Sequence, residues 1–138
     1  MPIAGWTEED VFVVAERAHS LYLQGCYREA AAIFEGLVVV DPENRYCRTA
    51  LAALYLALGE QQRALEQADQ ALALDDGDVE ARARRAEARL GLGRLDEAAA
   101  DVRVLRSRQA RQHASRLELQ LDCLLYTSDA ADEEDSVD

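Results

Sequence analysis

The sequence predicts an all-α protein, a right-handed α-solenoid of three stacked helix pairs followed by a C-terminal capping helix. Glycine recurs every 34 residues, at Gly25, Gly59 and Gly93. Alanine recurs at the same interval in two further series, Ala18, Ala52 and Ala86, and Ala30, Ala64 and Ala98. Apolar residues between these positions follow helical spacing. Repeated helix pairs of this length bury their apolar faces by stacking, and about three pairs are needed for a stable array.

The repeats span residues 11–44, 45–78 and 79–112, after a lead-in at residues 1–10. A glycine at each turn can adopt the left-handed conformation that a side chain would strain. The predicted helices end near residue 24 and then cover about residues 27–40, 44–58, 61–74, 79–92 and 95–108. Arg89 is the main misfit, because it stands at a position that is normally packed.

Two further signals concern the ends of the array. Thr7 is predicted to cap the first helix, and Trp6 to fold back on its first turn as a hydrophobic staple. A seventh helix is predicted from about residue 110 onward, and its residues 113–122 form the capping helix over the third repeat. The leucines expected to cover that repeat are Leu117, Leu121, Leu124 and Leu125.

This pattern resembles the tetratricopeptide repeat (TPR), and the match runs without gaps over about three-quarters of the chain. The resemblance implies a concave groove lined by positions 2, 5, 9, 12 and 13 of the first helix of each repeat. In the first two repeats these positions are Phe12, Ala15, His19, Tyr22, Leu23, Tyr46, Thr49, Ala53, Leu56 and Ala57. In the third repeat they are Glu80, Ala83, Glu87, Leu90 and Gly91.

The groove positions of the first two repeats carry almost no charge, which is unusual for a face exposed to solvent. Contiguous exposed apolar surface marks binding sites, and extended peptides dock by placing spaced side chains in such pockets. The sequence therefore predicts a module that binds an extended apolar peptide. The alternative is that Tyr22 and Leu23 pack against the neighbouring repeat.

One known role within the family is not expected. TPR proteins that bind the acidic C-termini of heat-shock chaperones resemble one another in a clamp of basic and amide side chains. The corresponding positions here are Ala15, His19, Ala50, Glu80 and Arg84. Only Arg84 suits a carboxylate, so such a co-chaperone role is disfavoured.

Residues 18–60 more narrowly resemble the class II chaperones of bacterial type III secretion. Those are small, acidic, cytoplasmic proteins of three repeats that hold hydrophobic translocator subunits until export. The resemblance implies that a client segment lies extended in the groove, and it leaves a homodimer open. Tyr22, Tyr27, Val40 and Tyr46 match apolar or aromatic groove positions of that family. A generic TPR scaffold, or a fragment of a longer repeat protein, remains the alternative.

Charge and composition disfavour several other classes. Residues 1–78 carry a net charge of −9 out of −12 for the whole chain, which repels nucleic acid. No apolar run approaches the roughly 18 residues that span a bilayer, and the N-terminus lacks signal-peptide features. Three distant cysteines without a CxxC argue against disulfides and zinc and fit a cytoplasmic protein. All 15 basic residues are arginines, which with abundant alanine is typical of a GC-rich bacterial genome.

The sequence predicts no enzyme, no metal site and no cofactor. His19 and His113 are the only histidines and lie far apart, outside any metal-ligand motif. Neither a phosphate-binding loop nor a G-x-S-x-G nucleophile motif occurs. Paired carboxylates such as Asp75 and Asp76 fall at helix starts or in loops, where capping and solvation explain them.

Residues 123–138 form an acidic tail that is expected not to be native. The segment CLLYTSDAAD at residues 123–132 matches one reading frame of a common transposase-based sequencing adapter. A natural disordered acidic tail is the alternative, since the composition also permits it. Resequencing the source locus distinguishes the two.

Overall fold

Antiparallel helix pairs follow one another in the computed structural model, which describes residues 2, 3, 5–107 and 114–125. The helices are α1 (Glu8–Leu23), α2 (Tyr27–Val40), α3 (Arg45–Ala57), α4 (Gln61–Leu74), α5 (Val79–Gly91) and α6 (Leu95–Ser107). A further helix, α7, occupies residues 114–125. Each of the first six packs on the next, and α3 also contacts α1 and α5. The first helices of the repeats therefore form one inner layer, which confirms the all-α solenoid.

The turn within each repeat is the same left-handed structure. Gly59 has a φ of 78°, and its N–H donates to the carbonyl of Leu56 at 3.1 Å. The N–H of Glu60 then donates to the carbonyl of Tyr55 at 2.8 Å. These two bonds define a Schellman motif, which satisfies carbonyls at the helix end. The equivalent bonds recur at Gly25 and Gly93, whose φ values are 82° and 76°.

Small residues allow the helices to approach closely. All six alanines of the two periodic series are completely buried. Larger side chains fill the space around them, with Phe34, Leu37 and Leu51 at the centre of the first two repeats. The predicted core of the array is therefore the observed one.

The helix starts are capped by short polar side chains. Thr7 and Asp10 form a reciprocal capping box at α1, which confirms the predicted cap. Asn44 and Asp78, one repeat apart, accept backbone N–H groups at the starts of α3 and α5 at 3.2 and 3.1 Å. The predicted staple by Trp6 stays a prediction.

Helix α7 covers the third repeat, but only two of the four leucines predicted to cover it do so. Leu117 is buried and Leu121 half-buried against α5 and α6, whereas Leu124 and Leu125 are 44% and 45% exposed. The covering face thus ends at Leu121, because the helix extends beyond the apolar cluster. The predicted boundary between capping helix and tail falls within α7. Residues 108–113 lie outside the described residues, and so do residues 126–138, which are the rest of the predicted tail.

The misfit predicted at Arg89 is resolved by an ionic cluster between α5 and α6. Asp101 is only 1% exposed and accepts hydrogen bonds from Arg89 at 2.8 Å and, in a two-pronged contact, from Arg85 at 2.6 and 3.1 Å. Arg82 approaches the same carboxylate at 3.4 Å. Burial works to lower the pKa of Arg85, but the bonds to Asp101 and Asp69 outweigh it, so the pKa is raised. Arginine thus occupies a packed position because a buried carboxylate neutralises it.

Gly59→Val is expected to destabilise the array by more than about 1–2 kcal/mol, because a side chain strains the left-handed backbone. Open space surrounds the glycine, so the cost comes from the backbone and not from a clash. Gly36→Ala is the matched control, since Gly36 lies inside α2 with free space around it, and it should stabilise by about 0.5–1 kcal/mol. Thermal unfolding followed by circular dichroism measures both. Equal melting temperatures for Gly59→Val and the parent would contradict the prediction.

Asp101→Asn is expected to cost about 3 kcal/mol of unfolding free energy, because three guanidinium groups lose their shared counter-charge. Asp96→Asn is the control, since this exposed carboxylate in the first turn of α6 contributes at most about 1 kcal/mol. Denaturant titrations of the two variants provide the comparison. A loss for Asp101→Asn no larger than that for Asp96→Asn would show that the cluster does not stabilise the third repeat.

Candidate functional site

An open cavity of about 420 Å³ lies on the inner layer, where α1, α3 and α5 face the same side. Its walls combine aromatic and small side chains from the first two repeats with charged side chains from the second and third. The lining residues are His19, Tyr22, Phe34, Arg45, Tyr46, Thr49, Ala50, Ala53, Leu54, Asp78, Glu80 and Arg84. Five residues of the groove predicted in the first two repeats therefore meet in one cavity with Glu80 of the third; the five are His19, Tyr22, Tyr46, Thr49 and Ala53.

Tyr46 is the residue around which the concave surface is arranged. It lines this cavity and also two further concavities beside α1, one of which contains Ala15 and both of which contain Phe12. Its ring packs edge-on against Phe34 with 6.1 Å between ring centroids, yet the residue remains 51% exposed. Burial, followed by the charges of Cys47 and Glu16, raises the pKa of its hydroxyl. Tyr46 therefore presents a fixed, neutral aromatic face.

A row of rings continues from the cavity along α1. His19 stacks on Tyr22 with 6.1 Å between centroids, and Tyr22 contacts Tyr27 at 5.6 Å. Phe12 lines the two further concavities, and its side chain is 61% exposed. Aromatic side chains of this kind provide large contact areas for a bound polypeptide.

The remaining predicted residues lie outside the cavities. Val40 and Leu56 are half-buried against the core of the first two repeats. Leu23 is 71% exposed at the end of α1, and Tyr27 touches the row only through Tyr22. The alternative prediction was that Tyr22 and Leu23 pack against the neighbouring repeat. It does not hold for Leu23, because this side chain is mostly exposed. A role for these four residues in binding stays a prediction.

The groove does not extend along the third repeat in the way the resemblance implies. Glu80 lines the cavity, but Ala83 and Leu90 are buried in a cluster with Leu117 of α7. Arg116 of α7 also pairs with Glu87. Helix α7 therefore occupies the concave face of the third repeat, and the open groove belongs to the first two.

Sequence reasoning missed the charged wall of the cavity. Arg45 bridges Asp75 and Asp78 at 2.9 and 3.1 Å, and so joins the start of the second repeat to its end. The repeat interval carried a signal, because Arg45 opens the second repeat and Asp78 closes it.

A second pairing holds the neighbouring arginine on this wall. Arg84 pairs with Glu87 at 3.3 Å and with Glu80 at 3.6 Å. Both arginines of the cavity therefore already have carboxylate partners, which lowers their availability to an incoming anion.

The described residues offer little for catalysis. They contain no group of three His, Cys, Asp or Glu side chains that could hold a metal ion. Cys47 is buried, and burial raises the pKa of its thiol to about 11, so it is not a thiolate near neutral pH. Every helix in the described part of the chain is too short or too polar to traverse a bilayer. The arrangement is suited to binding by contact.

Comparison with protein-family models finds no match, and sequence comparison with characterised proteins finds none either. Solved structures do match. The TPR domain of Arabidopsis OM64 is 28% identical, with a TM-score of 0.77, and the match covers 83% of this chain and 95% of that one.

Two further matches were solved with peptides. The first TPR of Spaghetti (RPAP3), bound to the HSP90 peptide SRMEEVD, is 26% identical, with a TM-score of 0.80 and coverage of 90% and 99%. The Yersinia enterocolitica type III secretion chaperone SycD, in complex with a peptide of the translocator YopD, is 19% identical, with a TM-score of 0.78 and coverage of 88% and 97%. The stacked helix pairs and these similarities together show that the chain has the tetratricopeptide-repeat fold.

Proposed function

We propose that the chain binds an extended apolar polypeptide in its concave groove and serves as a chaperone for a hydrophobic translocator subunit of bacterial type III secretion. The observation that carries the proposal is the open, aromatic-lined cavity beside Tyr46. On this proposal the protein acts in the bacterial cytoplasm by binding, without catalysis, and needs no cofactor.

The dimensions and chemistry of the cavity support peptide binding. Its volume of about 420 Å³ lies within the roughly 300–1,000 Å³ typical of ligand pockets. Phe12, Tyr22 and Tyr46 provide apolar surface beside it, while Thr49 and the charged wall provide polar groups. An apolar side chain of an extended peptide would bury its surface there, and its backbone would remain at the polar rim.

Two observations support the finer role as a secretion chaperone. The segment at residues 18–60 resembles that family, and SycD, which was solved with a translocator peptide, shares the fold. The net charge of −9 carried by residues 1–78 would also help to keep a complex with an aggregation-prone client in solution.

A generic scaffold or assembly module is the second candidate. The observation that favours it is that OM64 and Spaghetti (RPAP3) are more similar in sequence than SycD is. Under this reading the same groove contacts partners with no link to secretion. The genes adjacent to the coding sequence distinguish the two candidates, since a translocator chaperone is expected beside its client.

Co-expression with a translocator encoded nearby is expected to keep that product soluble, because the groove covers its apolar segment. Tyr22→Asp combined with Tyr46→Asp should abolish this effect by placing two charges in the cavity. The soluble fraction of the client, measured after centrifugation, is the readout.

Val39→Asp is the control, because Val39 is an exposed apolar residue that lines none of the three concavities. It should leave the solubility of the client unchanged. An unaltered soluble fraction with the double variant would rule out the groove as the chaperone site. Co-purification of assembly factors in place of a translocator would favour the scaffold.

A further inference from the structure

We infer that the occupant of the groove is a cationic peptide, with an apolar anchor in the cavity and a lysine or arginine that lies between Phe12, Tyr46 and the carboxylates of α1. This inference rests on the proposed function and specifies the chemistry of its ligand. It depends on the distribution of charge along the concave surface, which is uneven.

Of the two further concavities beside α1, one is acidic. Its lining includes four carboxylates and no arginine, the carboxylates being Glu8, Glu9, Glu16 and Asp41. The charged residues that line the other are Glu16 and Arg17, which balance each other. Glu9, Phe12, Glu16 and His19 share one face of the helix because they are three or four residues apart. Arg17 lines the second concavity beside Val13 and Ser20, but it does not line the acidic one.

The aromatic side chains on this acidic surface favour a cation further. Phe12 and Tyr46 are more than half exposed and line both concavities together with Glu16. A lysine or arginine side chain can place its apolar stem on such rings, and its charge is attracted to their faces. The same surface disfavours an acidic peptide by repulsion.

The opposite wall of the cavity does not compensate with free positive charge. Arg45 is held by Asp75 and Asp78, and Arg84 is held by Glu80 and Glu87. An acidic ligand would have to displace these carboxylates. Spaghetti (RPAP3), which shares the fold, was solved with the acidic peptide SRMEEVD. The groove of this chain has the charge that suits the opposite kind of ligand.

Helix geometry sets the expected spacing between anchor and cation. Phe12 and His19 are seven residues apart on α1, which corresponds to about 10 Å along the helix axis. An extended peptide covers the same distance with about three residues. The cationic residue is therefore expected about three positions from the apolar anchor.

Fluorescence polarisation with short labelled peptides tests the inference. All probes share a central Phe-Ser-Leu anchor, and they carry lysine, glutamate or serine about three positions to either side, because the direction of binding is open. The lysine peptide is expected to bind about three- to tenfold more tightly than the serine peptide, and the glutamate peptide more weakly than both. Added salt should reduce the advantage of lysine.

Glu9→Gln combined with Glu16→Gln is expected to bring the affinities for the lysine and serine peptides close together. Glu66→Gln combined with Asp96→Asn is the control, since it changes the net charge equally at exposed residues outside the three concavities. It should preserve most of the preference for lysine.

The possible results separate this inference from the proposed function. Tight binding of the serine peptide without a preference for lysine would overturn the cationic ligand and leave the apolar groove intact. A preference for lysine that both double variants reduce equally would also overturn it, because net charge alone would then be responsible. Failure of all three peptides to bind would overturn both proposals.

Discussion

The left-handed turn at each repeat glycine is the constraint on which the rest of the structure depends. The turn ends one helix with a Schellman motif and starts the next within two residues, so the paired helices return antiparallel and in contact. The contact is close because alanine occupies both crossing points in every repeat. Side chains of the first helices are thereby brought to one face, and the concave surface is a product of this repeated geometry.

Much of this architecture could be predicted from the sequence, because it follows from local and periodic signals. For the first six helices, predicted and observed helix ends agree within about two residues, since glycine turns and capping residues are short-range features. The ionic cluster could not be predicted in the same way. From the sequence alone Arg89 is a misfit, because the residue that neutralises it, Asp101, lies on the next helix. Only the fold brings the two side chains together.

In the candidate site, too, some residues could be predicted from the sequence and others could not. Repeat positions identified His19, Tyr22 and Tyr46, because a periodic fold brings equivalent positions to one surface. They did not identify Arg45, whose role in the cavity wall depends on ion pairs with Asp75 and Asp78 at the far end of the same repeat. Nor did they show that α7 covers the concave face of the last repeat, since helical leucine spacing does not specify which neighbouring face is filled.

The position of α7 sets the length of polypeptide that the open groove can cover. Neighbouring helices in a packed layer lie about 8–10 Å apart, so a passage from α1 past α3 to α5 measures about 20 Å. A strand rises about 3.3 Å per residue, so an occupant that continues across the helices beyond its contacts along α1 has room for about six residues before α7 obstructs the path. A longer apolar stretch of the same occupant would extend beyond the groove and would have to be buried by its own chain or by another molecule.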